Sequence, residues 1–256
     1  MSEQLKVSVV TACFNSEATI GEAIATLKRQ TWKNIEHVVI DGASKDNTVD
    51  VAKATLHNND VFISEPDKGI YDALNKGVAN STGDIVGFLH SDDLYAHDEV
   101  LAQVARYFED PAVGAVYGDL QYVSATDTDH IIRHWKSGEF KHKKLKYGWM
   151  PPHPTFFMRR ELYEVMGGFD LQYRIAGDYD ALLRYLSNDN FKICYLPEVL
   201  VKMRVGGASN GSFKQIVRKS LEDISAMRKN GVNPFLALPY KNVSKISQFM
   251  RTAVQK

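Results

Sequence analysis

The sequence is poor in cysteine and has no net charge, and both absences exclude classes of protein. Only Cys13 and Cys194 occur among 256 residues, each inside an apolar run, so we expect neither a disulfide framework nor a zinc site. Lys plus Arg and Asp plus Glu both total 31, so the excess positive charge typical of nucleic-acid-binding proteins is missing. We therefore predict reduced thiols and no nucleic-acid partner.

Long hydrophobic runs are also missing. No segment approaches the roughly 20 apolar residues that cross a bilayer, and the first residues lack the pattern of a signal peptide. The 44% hydrophobic and 24% charged residues are ordinary values for a globular protein. We expect a cytoplasmic protein that is at most peripheral on the inner face of a membrane.

Short β-branched segments alternate with segments of helical period in the first hundred residues. Strands are predicted at 6–13, 35–40, 60–64 and 85–89, with helices around 20–27, 48–57, 70–80 and 100–108. This alternation predicts βαβ units and parallel strands. Because right-handed crossovers place parallel strands in one sheet, their C-terminal ends should share one edge.

The second half changes character and predicts a mixed arrangement. Strands are predicted at 115–122, 131–135, 155–158, 191–196 and 199–204, with a helix at 178–187 and further helices in the last forty residues. The lysine-rich segment 135–149 is expected to be a solvated loop, or alternatively a phosphate or membrane contact. Apolar residues at helical spacing in 240–256 either pack on the core or lie on an anionic membrane.

Polar, mostly acidic residues follow each of the first four predicted strands. They are Asn15, then Asp41, then Glu65 with Asp67, and then Asp92 with Asp93. Each residue alone is also typical of a turn or a helix cap. Together they predict carboxylates crowded at one sheet edge, an arrangement that a bound cation would stabilise. Oxygen donors without cysteine favour Mg²⁺ or Mn²⁺.

Four segments together match a known pattern: they are 7–15, 39–48, 64–77 and the acidic motif 88–93. They resemble the inverting family 2 glycosyltransferases of bacterial polysaccharide synthesis, and the resemblance extends to about Asn210. It implies the α/β type A glycosyltransferase fold of nucleotide-diphospho-sugar transferases, a mostly parallel twisted sheet flanked by helices. It also implies one catalytic domain over 1–210, with a nucleotide-binding half at 1–110 and an acceptor half at 111–210. Residues 211–256 would form a C-terminal helical appendage.

The resemblance implies roles for residues on the donor side. Asn15 would lie beside the nucleoside, and Asp41 would accept a hydrogen bond from the base, as is usual for uracil. Asp92 and Asp93 would hold the ribose and the metal, with Asp93 as the direct ligand of Mn²⁺ or Mg²⁺. The remaining positions assigned to the nucleotide sugar are Asp67 and, in a flexible loop that closes over the diphosphate, Arg204 and Ser209.

On the acceptor side, the resemblance implies that Asp178 is the catalytic base. Many members have Glu just before this residue, where the chain has Gly177. Asp178 could alternatively cap the following helix, and Asp180 is expected to make a structural contact. His153 and Trp149 are further acceptor-side predictions, although a lone histidine is more often structural.

The sequence thus predicts a hexosyltransferase-type enzyme that moves one sugar from a nucleotide sugar, UDP-linked by first preference, to a hydroxyl of a glycan or lipid-linked acceptor. Its pathway would be cell-surface polysaccharide biosynthesis. The chain lacks the Gln-x-x-Arg-Trp motif of processive synthases, so a single addition is expected. The alternatives are a non-catalytic nucleotide-sugar-binding scaffold and a sugar nucleotidyltransferase. The latter usually has a glycine-rich basic loop after its first strand, whereas this chain has 15–17 Asn-Ser-Glu.

Overall fold

A nine-stranded sheet lies at the centre of the part of the chain that this computed structural model describes, residues 4–57, 60–206 and 213–241. The strands are β1 (Val7–Cys13), β2 (Ile35–Asp41), β3 (Val61–Ser64), β4 (Ile85–Phe88), β5 (Asp93–Tyr95), β6 (Val113–Val123), β7 (Ile131–Trp135), β8 (Phe157–Arg159) and β9 (Lys192–Arg204). The helices are α1 (Ile20–Lys28), α2 (Thr48–Thr55), α3 (Ile70–Ala79), α4 (Val100–Tyr107), α5 (Arg160–Met166), α6 (Gly177–Leu186), α7 (Phe213–Lys229) and α8 (234–241).

The first four strands form the predicted parallel unit. Their order is β3-β2-β1-β4, and every pairing among them is parallel. Strand β1 is buried at all seven positions because helices cover both faces of the sheet. The C-terminal ends of these strands therefore share one side of the sheet, called here the C-terminal edge.

The second half of the sheet is mixed, as predicted. Strand β8 pairs antiparallel with both β4 and β6, β7 pairs antiparallel with β6, and β5 pairs antiparallel with β9. Strands β6 and β9 run parallel. The β6–β9 and β1–β2 pairs join more residues than any other pair of strands in the described sheet. Parallel pairing therefore accounts for most of the paired length.

Several boundaries differ from the sequence predictions. The strands predicted at 191–196 and 199–204 form the single strand β9, whose register with β6 shifts between Tyr117 and Asp119. The strand predicted at 155–158 begins at Phe157, because His153–Thr155 forms a 3₁₀ turn. The lysine-rich segment is also not only a loop, since His142–Tyr147 is a 3₁₀ helix.

The core has a layer on each face of the sheet, because successive strand residues point to opposite faces. Val10 of β1 packs in the layer with α3 and α6, whereas Val9 packs in the layer with α4. Helix α3 lies close to β1, since a Cβ on Gly77 would be 2.1 Å from Val10 Cγ1. This close packing holds α3 against the sheet, and the first turn of the same helix carries Tyr71 of the site described below.

The C-terminal part of the described chain packs on this body, with α7 against α6. No helix within the described ranges is both long and apolar enough to cross a membrane. Predictions for Ser209 and for most of 240–256 concern residues outside the described ranges.

Candidate active site

Asp41, at the end of β2, anchors the loop that follows it. Its side chain is 0% exposed. One oxygen accepts hydrogen bonds from Ser44 N at 3.1 Å and Ser64 Oγ at 2.6 Å, and the other accepts from Ser44 Oγ and, at 3.8 Å, from Cys13 Sγ. These partners use the roughly four acceptor positions of a carboxylate. Asp41 therefore holds the loop after β2 in place, and its contact with a base stays a prediction.

Asn15 is tied to the same loop. Its backbone has a φ of 49°, in the left-handed region that asparagine tolerates better than most residues. Its N–H donates to Ser44 Oγ at 2.8 Å, and its Oδ1 accepts from Lys45 N at 2.9 Å. Asn15 and the loop after β2 thus form one hydrogen-bonded unit at the C-terminal edge.

The segments that follow three neighbouring strands meet at Gly42, which lies close to Phe14 and Asp67. A Cβ on Gly42 would lie 2.5 Å from Asp67 Oδ2 and 3.4 Å from Phe14 Cδ2, so only glycine allows these side chains to approach. Asp67 Oδ1 accepts from Gly69 N at 2.8 Å. Phe14 is 58% exposed, which makes it an uncovered aromatic ring beside two predicted donor-site residues, Asn15 and Asp67.

The acidic pair consists of Asp92, which is half-buried, and Asp93, which is fully buried. Asp93, the first residue of β5, is 1% exposed, and its Oδ1 has no hydrogen-bond partner in the described structure. Burial raises the pKa of the Asp93 carboxyl well above its usual range, and the charge of Asp92 adds to the rise, whereas Arg204 opposes it. An unpartnered buried carboxylate oxygen is costly unless a ligand or ion compensates it.

Arg204 is a buried strand residue that contacts the backbone of this pair, and it does not lie in an exposed loop. It is the last residue of β9 and is 7% exposed. Its Nη1 donates to the Asp92 carbonyl oxygen at 2.7 Å, and its Nη2 forms an ion pair with Glu22 of α1. Arg204 is therefore tied to Asp92 and Glu22 at the end of a strand, and its contact with a diphosphate stays a prediction.

The acidic pair fits a divalent ion that is shared with a ligand. Among the described residues, no group of three His, Cys, Asp or Glu side chains could enclose a metal. Mg²⁺-type sites often use only one or two carboxylates and take their remaining oxygens from substrate phosphates and water. The unpartnered Oδ1 of Asp93, with Asp92 beside it, is suited to such a site.

Asp178 is the second residue of α6. Its Oδ1 accepts from Tyr179 N at 2.8 Å and from the Tyr71 hydroxyl at 3.3 Å, and this hydroxyl also donates to Ile175 O at 2.7 Å. The N-cap residue of α6 is Ala176, so Asp178 is not the cap that the alternative interpretation proposed. Tyr71 could not be recognised as a site residue from the sequence, because its helical spacing is equally typical of a core residue.

Gly177 has a physical reason in this chain. A Cβ at this position would lie 2.7 Å from Tyr71 Cε2. A larger residue, including the Glu of many family members, would therefore displace the Tyr71 ring from Asp178. In this chain, which has glycine at position 177, the acid Asp178 is contacted by Tyr71 of α3.

Two histidines pack together, and His90 lies near both Asp92 and Asp178. The His90 and His153 rings are 5.7 Å apart, and His153 also packs on Phe88 at 5.0 Å and Phe169 at 5.5 Å. Burial lowers the pKa of His153 to about 3, and His90 adds to this effect, so its imidazole is neutral. Burial also lowers the pKa of His90, whereas the charges of Asp92 and Asp178 oppose the change. His90 Nδ1 and His153 Nε2 have no partner in the described structure.

Trp149 and Asp180 make packing contacts. Trp149 is half-buried, with Tyr117 and Phe140 each 5.8 Å away and Lys144 Nζ 5.0 Å from its ring centroid. These ring contacts of Trp149, all within the described part of the chain, do not include His153 or Asp178. Asp180 is 0% exposed and pairs with Lys229 at 3.2 Å, which is the structural role expected of it.

Comparison with known proteins identifies relatives along most of the chain. The model of the family described as "Glycosyl transferase family 2" matches residues 8–167. A "PGL/p-HBAD biosynthesis glycosyltransferase" of Mycobacterium bovis (strain BCG / Pasteur 1173P2) is 31% identical over 208 residues. This match covers 79% of the chain and 78% of that relative.

Solved structures share the fold at lower identity. S. aureus TarS 1-349 in complex with UDP-GlcNAc has a TM-score of 0.68 and 19% identity, covering 87% of this chain and 66% of that one. Glucosyl-3-phosphoglycerate synthase from Mycobacterium tuberculosis, in complex with Mn²⁺, UDP and phosphoglyceric acid, has a TM-score of 0.63 and 18% identity, covering 90% of this chain and 80% of that one. The chain thus spans just under two thirds of the TarS structure. These similarities confirm the predicted type A fold.

Proposed function

The chain belongs to glycosyl transferase family 2, and from this premise we propose that it is a metal-dependent, inverting enzyme acting on a UDP-sugar. It transfers one sugar to a hydroxyl of a glycan or lipid-linked acceptor in cell-surface polysaccharide or glycolipid synthesis. Family membership establishes the general activity of a glycosyltransferase. The donor, the metal, the inversion and the acceptor class are the proposal.

One observation carries the proposal: His90 lies close enough to Asp92 and to Asp178 that the charges of both act on it, which brings the acidic pair and the acid of α6 into one site. The acidic pair also has an unpartnered oxygen, Asp93 Oδ1, in the described structure. In the proposed site, Asp93 and Asp92 would hold Mn²⁺ or Mg²⁺, and Asp178 faces the acceptor. The proposal assigns leaving-group stabilisation to the acidic pair and proton removal to Asp178.

In the proposed site, the nucleoside packs against Phe14, Asn15 and Asp67. Stacking of a base on an exposed aromatic ring contributes roughly 1–3 kcal/mol, and Phe14 is 58% exposed. Asp41 acts here through the loop that it anchors. The UDP and UDP-GlcNAc complexes of proteins with this fold support uracil as the first base to test. Their Mn²⁺ supports a divalent ion.

Asp178 accepts the proton of the acceptor hydroxyl as its oxygen attacks the anomeric carbon. The new glycosidic C–O bond forms on the face opposite the diphosphate, and the bond from the anomeric carbon to the phosphate oxygen breaks with its electrons. When bound, the divalent ion neutralises the charge that develops on the departing diphosphate. Tyr71 keeps Asp178 oriented. His153 is neutral and packs on His90, and its contact with the acceptor stays a prediction.

Substitution of Asp178 by Asn tests the base. We expect loss of sugar transfer by about 10²-fold or more, because general base catalysis contributes that much, with UDP affinity nearly unchanged. UDP release from a panel of UDP-sugars, with and without glycan or lipid acceptors, measures turnover, and titration with UDP and Mn²⁺ measures affinity. Asp50→Asn, on the exposed side of α2, is the matched control. Equal loss of turnover and affinity would contradict the assignment, and UDP binding by the wild type without any turnover would instead favour the scaffold.

An exposed aromatic and basic surface fits peripheral contact with an anionic membrane. On α8, Phe235 is 87% and Tyr240 55% exposed, and the Tyr240 ring is 5.3 Å from that of Tyr147, which is 41% exposed. Lysines precede Tyr147 on the adjacent segment, and the exposed ones are Lys141, Lys143 and Lys146. Aromatic residues flanked by lysines are typical of interfacial binding.

Vesicle sedimentation tests this contact. We expect the protein to bind phosphatidylserine-containing vesicles at low salt but not neutral vesicles, and Phe235→Ser with Tyr240→Ser to weaken the binding. Val165→Ser is the control, because Val165 is an 81% exposed aliphatic side chain on a different helix, α5. Absence of binding at low salt would contradict a membrane-bound acceptor encounter through this surface.

A further inference from the structure

A carboxylate from α7 gathers three consecutive backbone amides just before the proposed base. Glu222 Oε2 accepts from the N–H groups of Arg174 at 3.1 Å, Ile175 at 2.8 Å and Ala176 at 3.0 Å. Hydrogen bonds to a charged acceptor are about twice as strong as neutral ones. One side chain therefore fixes the backbone of 174–176.

This backbone leads directly to Asp178. Ala176 is the N-cap residue of α6, and Asp178 is two residues further along. The carbonyl oxygen of Ile175 accepts the Tyr71 hydroxyl at 2.7 Å, and the same hydroxyl contacts Asp178 Oδ1 at 3.3 Å. Movement of Ile175 would therefore shift both the tyrosine that orients the acid and the helix that bears it.

We propose that Glu222 is a positioning residue for the acceptor-side base, so that α7 is part of the catalytic apparatus and not an accessory helix. This inference rests on the function proposed above for Asp178. Glu222 does not contact the reacting atoms. It acts by holding 174–176, and through them Tyr71 and Asp178, in the geometry for proton removal.

The attachment of α7 to the body depends on other contacts. Lys229 pairs with Asp170 at 2.8 Å and with Asp180 at 3.2 Å, and Asn230 Nδ2 donates to Asp180 at 2.9 Å. Lys241 of α8 pairs with Asp223 at 2.9 Å. Because these contacts remain when Glu222 is replaced, α7 should stay docked. The loss should be confined to the loop before α6.

The test compares Glu222→Ala and Glu222→Gln with Glu161→Ala, a control on the exposed first turn of α5. For Glu222→Ala, we expect kcat to fall roughly 10- to 100-fold, since small misplacements of a catalytic group have effects of this size. The donor KM and UDP affinity should stay within about twofold, because the donor side is untouched. Glu222→Gln should recover part of kcat, since its amide oxygen still accepts hydrogen bonds.

Wild-type kcat in Glu222→Ala would overturn the inference, as would a parallel loss of kcat and UDP affinity. If thermal unfolding shows that Glu222→Ala is not folded, Glu222→Gln decides by the same two criteria. Asp178→Asn separates the two levels of the proposal. Turnover that survives in Asp178→Asn means that the base assignment is wrong, whereas an inactive Asp178→Asn beside a fully active Glu222→Ala means that only the role of Glu222 is wrong.

Discussion

Two buried aspartates at the C-terminal edge differ in the residues that surround them. Both oxygens of Asp41 accept hydrogen bonds, from Ser44 and Ser64, whereas one oxygen of Asp93 has no partner in the described structure. The sequence predicted both as ligand-binding residues, because both follow strands. It could not separate them, since the partners of Asp41 come from three different segments and only folding brings these together.

At the residue scale, Gly177→Ala should be unusually costly for a small substitution. Its Cβ would lie 2.7 Å from the Tyr71 ring, and overpacking of this kind costs about 1–3 kcal/mol. We expect a lower free energy of unfolding and reduced turnover, because Tyr71 must move away from Asp178. Urea unfolding and UDP release measure the two effects.

The control for this prediction is the same change in a Tyr71→Ala background. Without the ring, the added methyl group has room, so the second substitution should cost much less than it does alone. Equal costs in the two backgrounds would show that the ring contact is not the cause.

Individual elements were predictable where a pattern was long and local. Strands β1 and β2 and helices α1 and α4 have clear periods, and their observed bounds lie within one or two residues of the predicted ones. Strand β5 has only three residues and exists because β9 pairs with it, so no local pattern could reveal it. Helix α5 was also missed, since a seven-residue helix gives little periodicity.

The link between β9, β5 and α1 leads to a prediction for Arg204. In Arg204→Lys, one ammonium group cannot reproduce the two directed contacts to Asp92 O and Glu22. We expect the free energy of unfolding to fall by about 1–3 kcal/mol, the usual cost of leaving a buried group without its partner. Metal-dependent UDP binding should weaken as well, since Asp92 and Asp93 lose their support.

Urea unfolding of the ligand-free variant distinguishes this supporting role from the direct diphosphate contact that the sequence implied. A residue that only touches diphosphate would leave the stability of the free protein unchanged. An unaltered unfolding free energy, together with weaker UDP binding, would therefore restore the earlier interpretation.

At the scale of the whole molecule, the parallel half and the mixed half of the sheet could be predicted because hydrophobic runs and helical periods extend along the chain. The contribution of the C-terminal helices to the site could not. It depends on one long-range set of hydrogen bonds from Glu222 to 174–176. The bonded residues are 46 to 48 positions apart in the sequence. Nothing in the spacing of residues around 222 indicates so distant a partner.

The buried histidines predict an acid-sensitive fold. Burial lowers the pKa of His37 to about 4, Lys28 adds to the shift, and Asp60 opposes it. An unfolded chain binds this proton near its ordinary value of 6.5, so the unfolded state binds more protons between about 6.5 and 4. Stability is therefore complete above this window and falls as pH decreases through it, by up to about 1.4 kcal/mol per pH unit for each such group.

Urea unfolding at about pH 7 and about pH 5.5 checks this window. Substitution of His37 by Gln removes one titrating group while keeping a partner for Thr11, whose Oγ1 is 3.0 Å from His37 Nε2. The variant should lose less stability than the wild type over this interval. The same loss in both proteins would show that His37 does not contribute.

The central claim is a metal-dependent UDP site completed by Asp93, and the most direct measurement is thermal unfolding with UDP, with and without Mn²⁺. In the wild type, UDP with Mn²⁺ at about a hundred times its Kd should add about 2.7 kcal/mol of stability, and UDP alone much less. Asp93→Asn should fold at least as stably, because burial already disfavours the charged carboxylate and the amide carries no charge. It should lose the metal-dependent part of the stabilisation. Equal stabilisation by UDP with and without Mn²⁺, or no response to UDP, GDP or their sugars, would contradict the account.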